Sequence, residues 1–185
     1  LYDYLLKGDL LYFCVGDVSG KGVPASLFMA QAIRLFRSIA KQGHSPATIA
    51  TRINNELTED NEQGMFVTMF IGLIDLATGQ LKFCNAGHNP PVLGYDGHDE
   101  FMQMEPNAPI GLWPDIKYVG ETIDNIQNRL LLVYTDGLNE AENDHQEQFS
   151  DERLLDILNS RHFDTARELV EYLNAEIERH RGGAL

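Results

Sequence analysis

Two aspartates each end an apolar run and stand just before a turn. Asp17 ends "LLYFCVGD", and Asp136 ends "LLLVYTD". Two strands that each deliver a carboxylate to one edge of a sheet could place both groups in a single cleft. Paired carboxylates suit Mg²⁺ or Mn²⁺, which prefer oxygen ligands. Either aspartate alone is more often a turn or helix cap, but the two matching motifs favour a metal site with carboxylates roughly 4–6 Å apart.

The turn after Asp17 contains glycine and lysine, as a phosphate-binding loop does. In "GDVSGKG", however, only three residues separate the first glycine from the glycine–lysine pair, whereas a P-loop has four. Gly22 also stands where a P-loop carries the Ser or Thr that binds magnesium. The pattern therefore argues against a P-loop and favours Asp17 as the residue that carries the chemistry. Gly20 and Gly22 then shape the turn, because glycine adopts backbone angles that other residues avoid.

Lys21 and His88 are further candidates for contact with a substrate. Lys21 could meet a substrate phosphate or pair with a neighbouring carboxylate, although an exposed loop lysine is usually only solvated. His88, in "NAGHNPP", could act near the site, or its ring could be hydrogen-bonded to hold the loop. Glu140 is expected to serve the helix or turn after Asp136. The sequence leaves these alternatives open.

The spacing of apolar residues predicts the elements that position these side chains. The run that ends at Asp17 is nearly all apolar, which predicts a strand buried on both faces. A helical stripe begins at Pro24, and "SPAT" predicts a second helix with Ser45 as its N-cap. The remaining pattern predicts two strands around the turn "ATGQ", strands near Lys117–Asp124 and in "NRLLLVYTD", and helices around Asp151–Asn159 and Thr165–His180. This grouping indicates an α+β fold with antiparallel hairpins.

The composition is that of a folded acidic domain. The chain has 185 residues, of which 28 are acidic and 14 basic, with a formal net charge of −14. This charge argues against nucleic acid and anionic membranes as partners, but an anionic cleft attracts divalent cations. The length fits a single domain over residues 1–185. Cys14 and Cys84 lie in apolar runs and are expected to be buried, reduced thiols, which fits a cytoplasmic location.

Four longer motifs stand in the chain in the order "GDVSGKGVPASLFMA", "MFVTMFIGLID", "CNAGHNPP" and "LLLVYTDGLNEAEN". They resemble those of the SpoIIE/RsbU type of bacterial PPM serine/threonine phosphatase, a protein phosphatase 2C-like family. The resemblance covers almost the whole chain. It implies an α-β-β-α sandwich, in which two antiparallel sheets are flanked by helices and a two-metal site lies at one end.

The resemblance also implies roles for single residues. Asp17 resembles the aspartate that bridges both metal ions, the backbone carbonyl of Val18 matches a further ligand, and Asp136 resembles an aspartate that binds one ion. The implied cofactor is Mn²⁺ or Mg²⁺, and the implied reaction is in-line attack of an activated water on phosphorus without a covalent enzyme intermediate. Asp17 and Asp136 are thus the expected catalytic residues, with Lys21 and His88 as candidates for substrate contact.

Two ligand positions of the family are not found in this chain. Members usually carry Gly-Gly-Asp just ahead of a segment like "LYDY", and they end with Asp-Asp-x-Thr on a last strand. This chain starts at Leu1 and ends in "RHRGGAL", so both positions are expected to lie outside it. Asp3 is not the usual ligand. The 185 residues are therefore expected to bind at most one ion, and only weakly.

The substrate class implied by the resemblance is a phosphoserine or phosphothreonine on a STAS-type anti-anti-sigma protein in bacterial sigma-factor and stress signalling. In related chains, a sensor or receiver module placed before the phosphatase domain regulates it. The main alternative is a catalytically weak regulatory or scaffold domain of the same fold, and the presence of both Asp17 and Asp136 argues against it. Homodimer formation and membrane tethering of a longer chain stay open.

Overall fold

The structure, a computed structural model, describes residues 1–59, 61–95 and 97–182. Its elements are, in chain order, β1 Tyr2–Lys7, β2 Leu10–Val18, α1 Val23–Ala40, α2 Pro46–Thr58, β3 Val67–Asp75, β4 Leu81–Ala86, β5 Val92–Tyr95, β6 His98–Phe101, β7 Glu121–Ile123, β8 Leu131–Leu132, α3 Asp136–Asn139, α4 Asp151–Ser160 and α5 Ala166–Arg181. None of these helices is both long enough and apolar enough to cross a bilayer. The chain divides into two compact units, a first unit of Leu1–Pro90 with Met102–Arg129 and a second unit of Pro91–Phe101 with Leu130–Leu185.

The first unit contains a five-stranded sheet and two helices. The strand order is β1-β2-β3-β4-β7, and each neighbouring pair is antiparallel. In the pairing of β2 with β3, Leu10 lies opposite Asp75 and Asp17 lies opposite Thr68. Helices α1 and α2 contribute Phe36 and Ile53 to a buried cluster that also contains residues of the sheet. One end of β2, with its aspartate, is thus held in register by β3.

Strand β2 alternates in burial along its length. Tyr12 and Cys14 are buried in the cluster shared with the helices, whereas Phe13 and Val15 on the opposite face are only half-buried. The expectation that β2 is buried on both faces is therefore correct for one face alone. On the other face, the rings of Phe13 and Phe70 lie 6.0 Å apart between centroids. Phe70 on β3 is completely buried and lies opposite Val15, so this face also carries buried aromatic surface.

The two helices of the first unit begin where the sequence predicts. Helix α2 is capped by Ser45, whose Oγ accepts a hydrogen bond from the Thr48 N–H at 3.3 Å, and Pro46 occupies its first turn. Helix α1 has Pro24 in its first turn and Gly22 as its N-cap, with φ at 84°. That φ lies in the left-handed region, which favours glycine. The glycine therefore lets the chain pass from the turn after Asp17 directly into a helix.

The second unit contains a three-stranded sheet and three helices. Its strand order is β6-β5-β8, and both pairs are antiparallel. The core draws side chains from the sheet, from the segment before α4 and from both longer helices. Its buried members are Val92, Tyr134, Ala141, Phe149, Leu154, Leu158, Leu169 and Leu173. The apolar stripes of α4 and α5 supply the last four of these, as an amphipathic helix pattern requires.

The observed elements confirm the predicted α+β class with antiparallel sheets and helices. The strands on either side of "ATGQ" and the two C-terminal helices are found close to their predicted bounds. Three strands, β1, β5 and β6, were not predicted. Strand β8 is only two residues long, because Leu131 and Leu132 alone pair with β5 at the edge of its sheet.

Candidate active site

Asp17 lies near the end of β2 with an exposed side chain. Its Oδ1 accepts a hydrogen bond from the N–H of Val18 at 3.0 Å. Its backbone carbonyl lies 3.4 Å from the hydroxyl of Thr68, the residue opposite it on β3. The same hydroxyl lies 3.0 Å from Nδ1 of His88. The backbone at Asp17 is thus fixed by a cross-strand contact, while its carboxylate faces solvent.

Val18 is the last residue of β2 and lies opposite Val67 of β3. Gly16 exchanges hydrogen bonds with Leu1, at 3.0 Å and 2.8 Å. Backbone groups two residues apart face the same edge of a strand, so the Val18 groups point to this edge beyond the start of β1. On the other side, Val67 exchanges both of its hydrogen bonds with Ile110, each at 2.9 Å. Among the described residues, Val67 is therefore paired with Ile110, and binding of a metal by the Val18 carbonyl stays a prediction.

The turn that follows is fixed by Ser19. Its N–H donates to the carbonyl of Phe66 at 2.8 Å, and its Oγ accepts from the Phe66 N–H at 2.8 Å. Gly20 then adopts a φ of 83°. Lys21 lies exposed in this turn and forms no ion pair within the described part of the chain. Its proposed contact with a substrate stays a prediction.

His88 is buried, with 5% of its surface exposed, and its loop is tightly bonded. The His88 N–H donates to Asn85 Oδ1 at 2.9 Å, and Asn85 Nδ2 donates to the His88 carbonyl at 2.8 Å. With the Thr68 contact, these bonds are those expected of a histidine that holds a loop. They also tie that loop to the strand pair carrying Asp17. Contact of His88 with a substrate stays a prediction.

Asp136 lies in the second unit, as the first residue of α3. Its carbonyl accepts a hydrogen bond from the Glu140 N–H at 2.8 Å, and its side chain is half-buried. Glu140 caps the C-terminal end of this short helix, in keeping with the turn role expected for it. Two residues before Asp136, the Tyr134 hydroxyl donates to Asp151. Burial, helped by this hydrogen bond, raises the pKa of Tyr134, so the hydroxyl keeps its proton.

The oxygen donors of this chain fit a hard divalent cation. Asp17 and Asp136 have carboxylates and Val18 has a backbone carbonyl, which are the ligand types that Mg²⁺ and Mn²⁺ prefer. No group of three or more His, Cys, Asp or Glu side chains with metal-binding geometry occurs among the described residues. Asp3 is engaged by Arg37, whose Nε and Nη2 lie 2.9 Å and 2.5 Å from its two carboxylate oxygens. The chain thus carries candidate ligands but no assembled cluster of three acidic or imidazole groups in its described part.

The two cysteines take no part in this chemistry. Cys14 and Cys84 are free and buried, as expected. Burial raises the pKa of each thiol to about 12, and the nearby carboxylates of Asp3 and Glu121 add to the effect at Cys14 and Cys84 respectively. Both are therefore neutral near neutral pH, and a neutral buried thiol is neither a nucleophile nor a ligand.

Solved structures show the fold class. The chain matches the PP2C phosphatase domain of SpoIIE from Bacillus subtilis with a TM-score of 0.83 and 22% identity, over 99% of this chain and 54% of that one. It also matches RsbX, solved in complex with magnesium, with a TM-score of 0.69 and 18% identity, over 97% of this chain and 78% of that one. The fold is therefore that of a PP2C-like phosphatase domain.

Residues 7–185 match the family described as Stage II sporulation protein E (SpoIIE), and the chain belongs to this family. Among curated relatives, the phosphoserine phosphatase RsbP of Bacillus subtilis is 27% identical over 143 residues, which cover 75% of this chain and 36% of RsbP. The chain spans about a third of the length of the curated relatives that it matches, at 33% and 36%. The family resemblance seen in the motifs is thus confirmed.

Proposed function

We propose that this chain is the catalytic domain of a metal-dependent protein serine/threonine phosphatase. The observation that carries the proposal is the family match over residues 7–185, in a chain that has Asp17 and Asp136 at the ends of its two apolar runs. RsbP, its relative, is named a phosphoserine phosphatase. A domain retained only as a scaffold would have no need of either carboxylate.

Asp17, the Val18 carbonyl and Asp136 are the proposed metal ligands, and Mn²⁺ or Mg²⁺ is the proposed metal. RsbX, which shares the fold, has been solved with magnesium. A bound divalent ion supplies this chemistry with an activated water and with positive charge opposite the phosphoryl oxygens. The separation of the two aspartates stays a prediction of the sequence.

The protein's own groups orient the ligands and the substrate. The Val18 N–H, 3.0 Å from Asp17 Oδ1, holds one carboxylate oxygen and leaves the other directed to its surroundings. The hydroxyl of Thr68 donates to the backbone carbonyl of Asp17 and so fixes the position of Asp17 on its strand. Lys21, exposed in the following turn, is the proposed contact for the substrate phosphate, because a lysine offers a mobile positive charge to phosphate oxygens.

The proposed substrate is a phosphorylated STAS-type anti-anti-sigma protein, and the proposed process is bacterial sigma-factor regulation. The similarity to RsbP and to SpoIIE supports this substrate class. The matched curated relatives are about three times as long as the matched region. Control by an upstream sensor or receiver module, and a cytoplasmic location, belong to the same proposal.

The test is phosphate release by the full-length protein from a phosphorylated STAS protein, measured with Mn²⁺, with Mg²⁺ and with excess chelator. We expect release with either metal and none with chelator. A generic aryl phosphate assayed in parallel separates loss of chemistry from a wrong choice of protein substrate. Absence of metal-dependent hydrolysis of both substrates would contradict the proposal and favour the scaffold alternative.

A further inference from the structure

Helix α3, which begins with Asp136, is anchored from both of its sides to one carboxylate oxygen. Tyr134 lies just before the helix, and its hydroxyl donates to Asp151 Oδ1 at 3.0 Å. Asn139 is the last residue of the helix, and its Nδ2 donates to the same oxygen at 2.9 Å. Both residues belong to the second unit, as does Asp151. Asp151 therefore joins the two flanks of the turn that carries Asp136.

Backbone hydrogen bonds reinforce this anchor. The Ser150 N–H donates to the Asn139 carbonyl at 2.8 Å, and the Phe149 N–H donates to the Ala141 carbonyl at 2.9 Å. Ser150 has a φ of 72°, in the region that a residue other than glycine rarely adopts. Backbone strain of this kind persists only where the surrounding structure holds it in place. The bend at Ser150 brings both its own N–H and the Asp151 side chain onto α3.

The helix needs such an anchor because it is only four residues long. A single helical turn is unfavourable on its own, since it fixes several backbone angles for very few hydrogen bonds. Its internal contacts include the bond from the Glu140 N–H to the Asp136 carbonyl at 2.8 Å. The orientation of the Asp136 side chain therefore depends on contacts from outside the helix.

Among the described residues, the side chain of Asn139 is held by the hydrogen bond that its Nδ2 donates to Asp151, and its Oδ1 accepts none. That oxygen is buried. The reverse amide orientation would set that oxygen against the carboxylate of Asp151, so the bond to Asp151 fixes the amide as it is. A buried acceptor without a partner is unfavourable. The donated bond to Asp151 is thus the polar contact that accounts for an asparagine at this position.

We infer that Asp151 is a positioning residue for Asp136, acting through Tyr134 and Asn139. It fixes the short helix so that the Asp136 carboxylate meets the metal in one orientation. This inference rests on the proposed function. Outer contacts that orient a metal ligand typically change metal affinity or activity tenfold to a hundredfold when they are removed.

The test compares Asp151→Ala with Glu152→Ala. Both residues are acidic, exposed and in the first turn of α4, so each substitution removes the same charge from the helix N-terminus. Only the first removes the acceptor of Tyr134 and Asn139. Asp151→Asn keeps an acceptor oxygen, and Tyr134→Phe removes one donor while preserving the buried ring, so these two variants also cover the case in which Asp151→Ala fails to fold.

Two readouts are used. The first is hydrogen exchange of the Glu140 amide in metal-free protein, which reports on α3 directly. We expect exchange about tenfold faster in Asp151→Ala, intermediate in Tyr134→Phe, and unchanged in Asp151→Asn and Glu152→Ala. The second is the Mn²⁺ concentration that gives half-maximal phosphate release. We expect it to rise about tenfold or more in Asp151→Ala and to stay near the wild-type value in Asp151→Asn and Glu152→Ala.

Equal exchange in Asp151→Ala and Glu152→Ala would overturn the inference, because the anchor would then be ineffective. Faster exchange with an unchanged Mn²⁺ requirement would overturn it as well, since Asp151 would then stabilise α3 without positioning a ligand. A wild-type protein without metal-dependent activity would contradict the proposed function instead, and the exchange readout would still decide whether Asp151 anchors the helix.

Discussion

At the scale of single residues, the acidic groups of the first unit differ in how far their oxygens are already engaged. Asp3 is held by the guanidinium of Arg37. Asp75 accepts the N–H groups of Ala77 and Thr78, at 2.9 Å and 3.2 Å, as the first residue of a turn. The carboxylate of Asp17 accepts one bond, from the adjacent Val18, and is exposed. Most of its lone pairs are therefore available to a cation.

Substitution of Asp17 by Asn is expected to abolish most of the activity without unfolding the protein. Asn keeps the shape and an acceptor for the Val18 N–H but removes the charge that holds a metal ion. We expect turnover to fall by more than about a hundredfold, with a melting temperature equal to or above that of the wild type. Steady-state kinetics and thermal denaturation measure the two effects.

Asp9→Asn is the matched control, because Asp9 is an exposed aspartate in the turn just before β2, at the end of the strand away from Asp17. It should leave turnover unchanged. Near-normal turnover in Asp17→Asn would remove Asp17 from the mechanism, and equal losses in both variants would point to an effect of total charge.

At the scale of elements, helix α2 holds the loop segment that pairs with the first residue of β3. Asn54 on α2 is completely buried, and its Oδ1 accepts the Gly111 N–H at 2.8 Å. Its Nδ2 donates to the Trp113 carbonyl at 2.9 Å. Ile110, next to Gly111, is the residue that takes both hydrogen bonds of Val67. The helix therefore fixes the loop before β7 against the start of β3.

Substitution of Asn54 by Ala should therefore destabilise the fold. It leaves the Gly111 N–H and the Trp113 carbonyl without their partner, and unsatisfied buried polar groups are costly. We expect the free energy of unfolding to fall by about 3 kcal/mol. Urea denaturation measures it. Asn55→Ala, at the exposed neighbouring position on the same helix, should change stability by less than about 0.5 kcal/mol, and equal effects of the two substitutions would contradict the assignment.

At the scale of the whole molecule, each unit has its own buried cluster, and the core of the first unit contains two ionisable thiols. Burial raises the pKa of Cys14 and of Cys84 from an ordinary 9.0 to about 12. The folded state therefore keeps both thiols neutral at a pH where the unfolded chain has lost their protons. Stability linked to these groups is fully present below about pH 9 and is lost as the pH rises toward about 12.

The free energy of unfolding should accordingly decline between about pH 9 and about pH 12. Denaturation in urea, under reducing conditions, measures this slope. The double variant Cys14→Ala with Cys84→Ala should have a shallower slope, even if it is less stable at neutral pH. Some slope should remain, because burial also raises the pKa of Tyr118 and Tyr134. An unchanged slope in the double variant would show that the thiols do not contribute.

Local patterns in the sequence determined the helices, the central strands and the two candidate carboxylates. Ser45 and Pro46 mark the start of α2 by themselves, because capping depends on neighbouring residues only. The motifs around Asp17 and Asp136 likewise identify the family, since its signature is a run of consecutive residues. The sequence did not predict the contacts between distant segments. Strand β1 exists through its register with β2, and its exposed tyrosines give no strong apolar signal.

The tertiary structure decided which groups are free and which are held. The start of β3 is held because Val67 pairs with Ile110, more than 40 residues further along the chain. Asp136 is anchored because Asp151 reaches back to Tyr134 and Asn139. Hydrogen bonds of this kind join residues that are distant in the sequence and become neighbours only in the folded protein. Residue type and spacing therefore do not predict them. The sequence therefore determined the chemical groups of the candidate site, and folding determined their orientation.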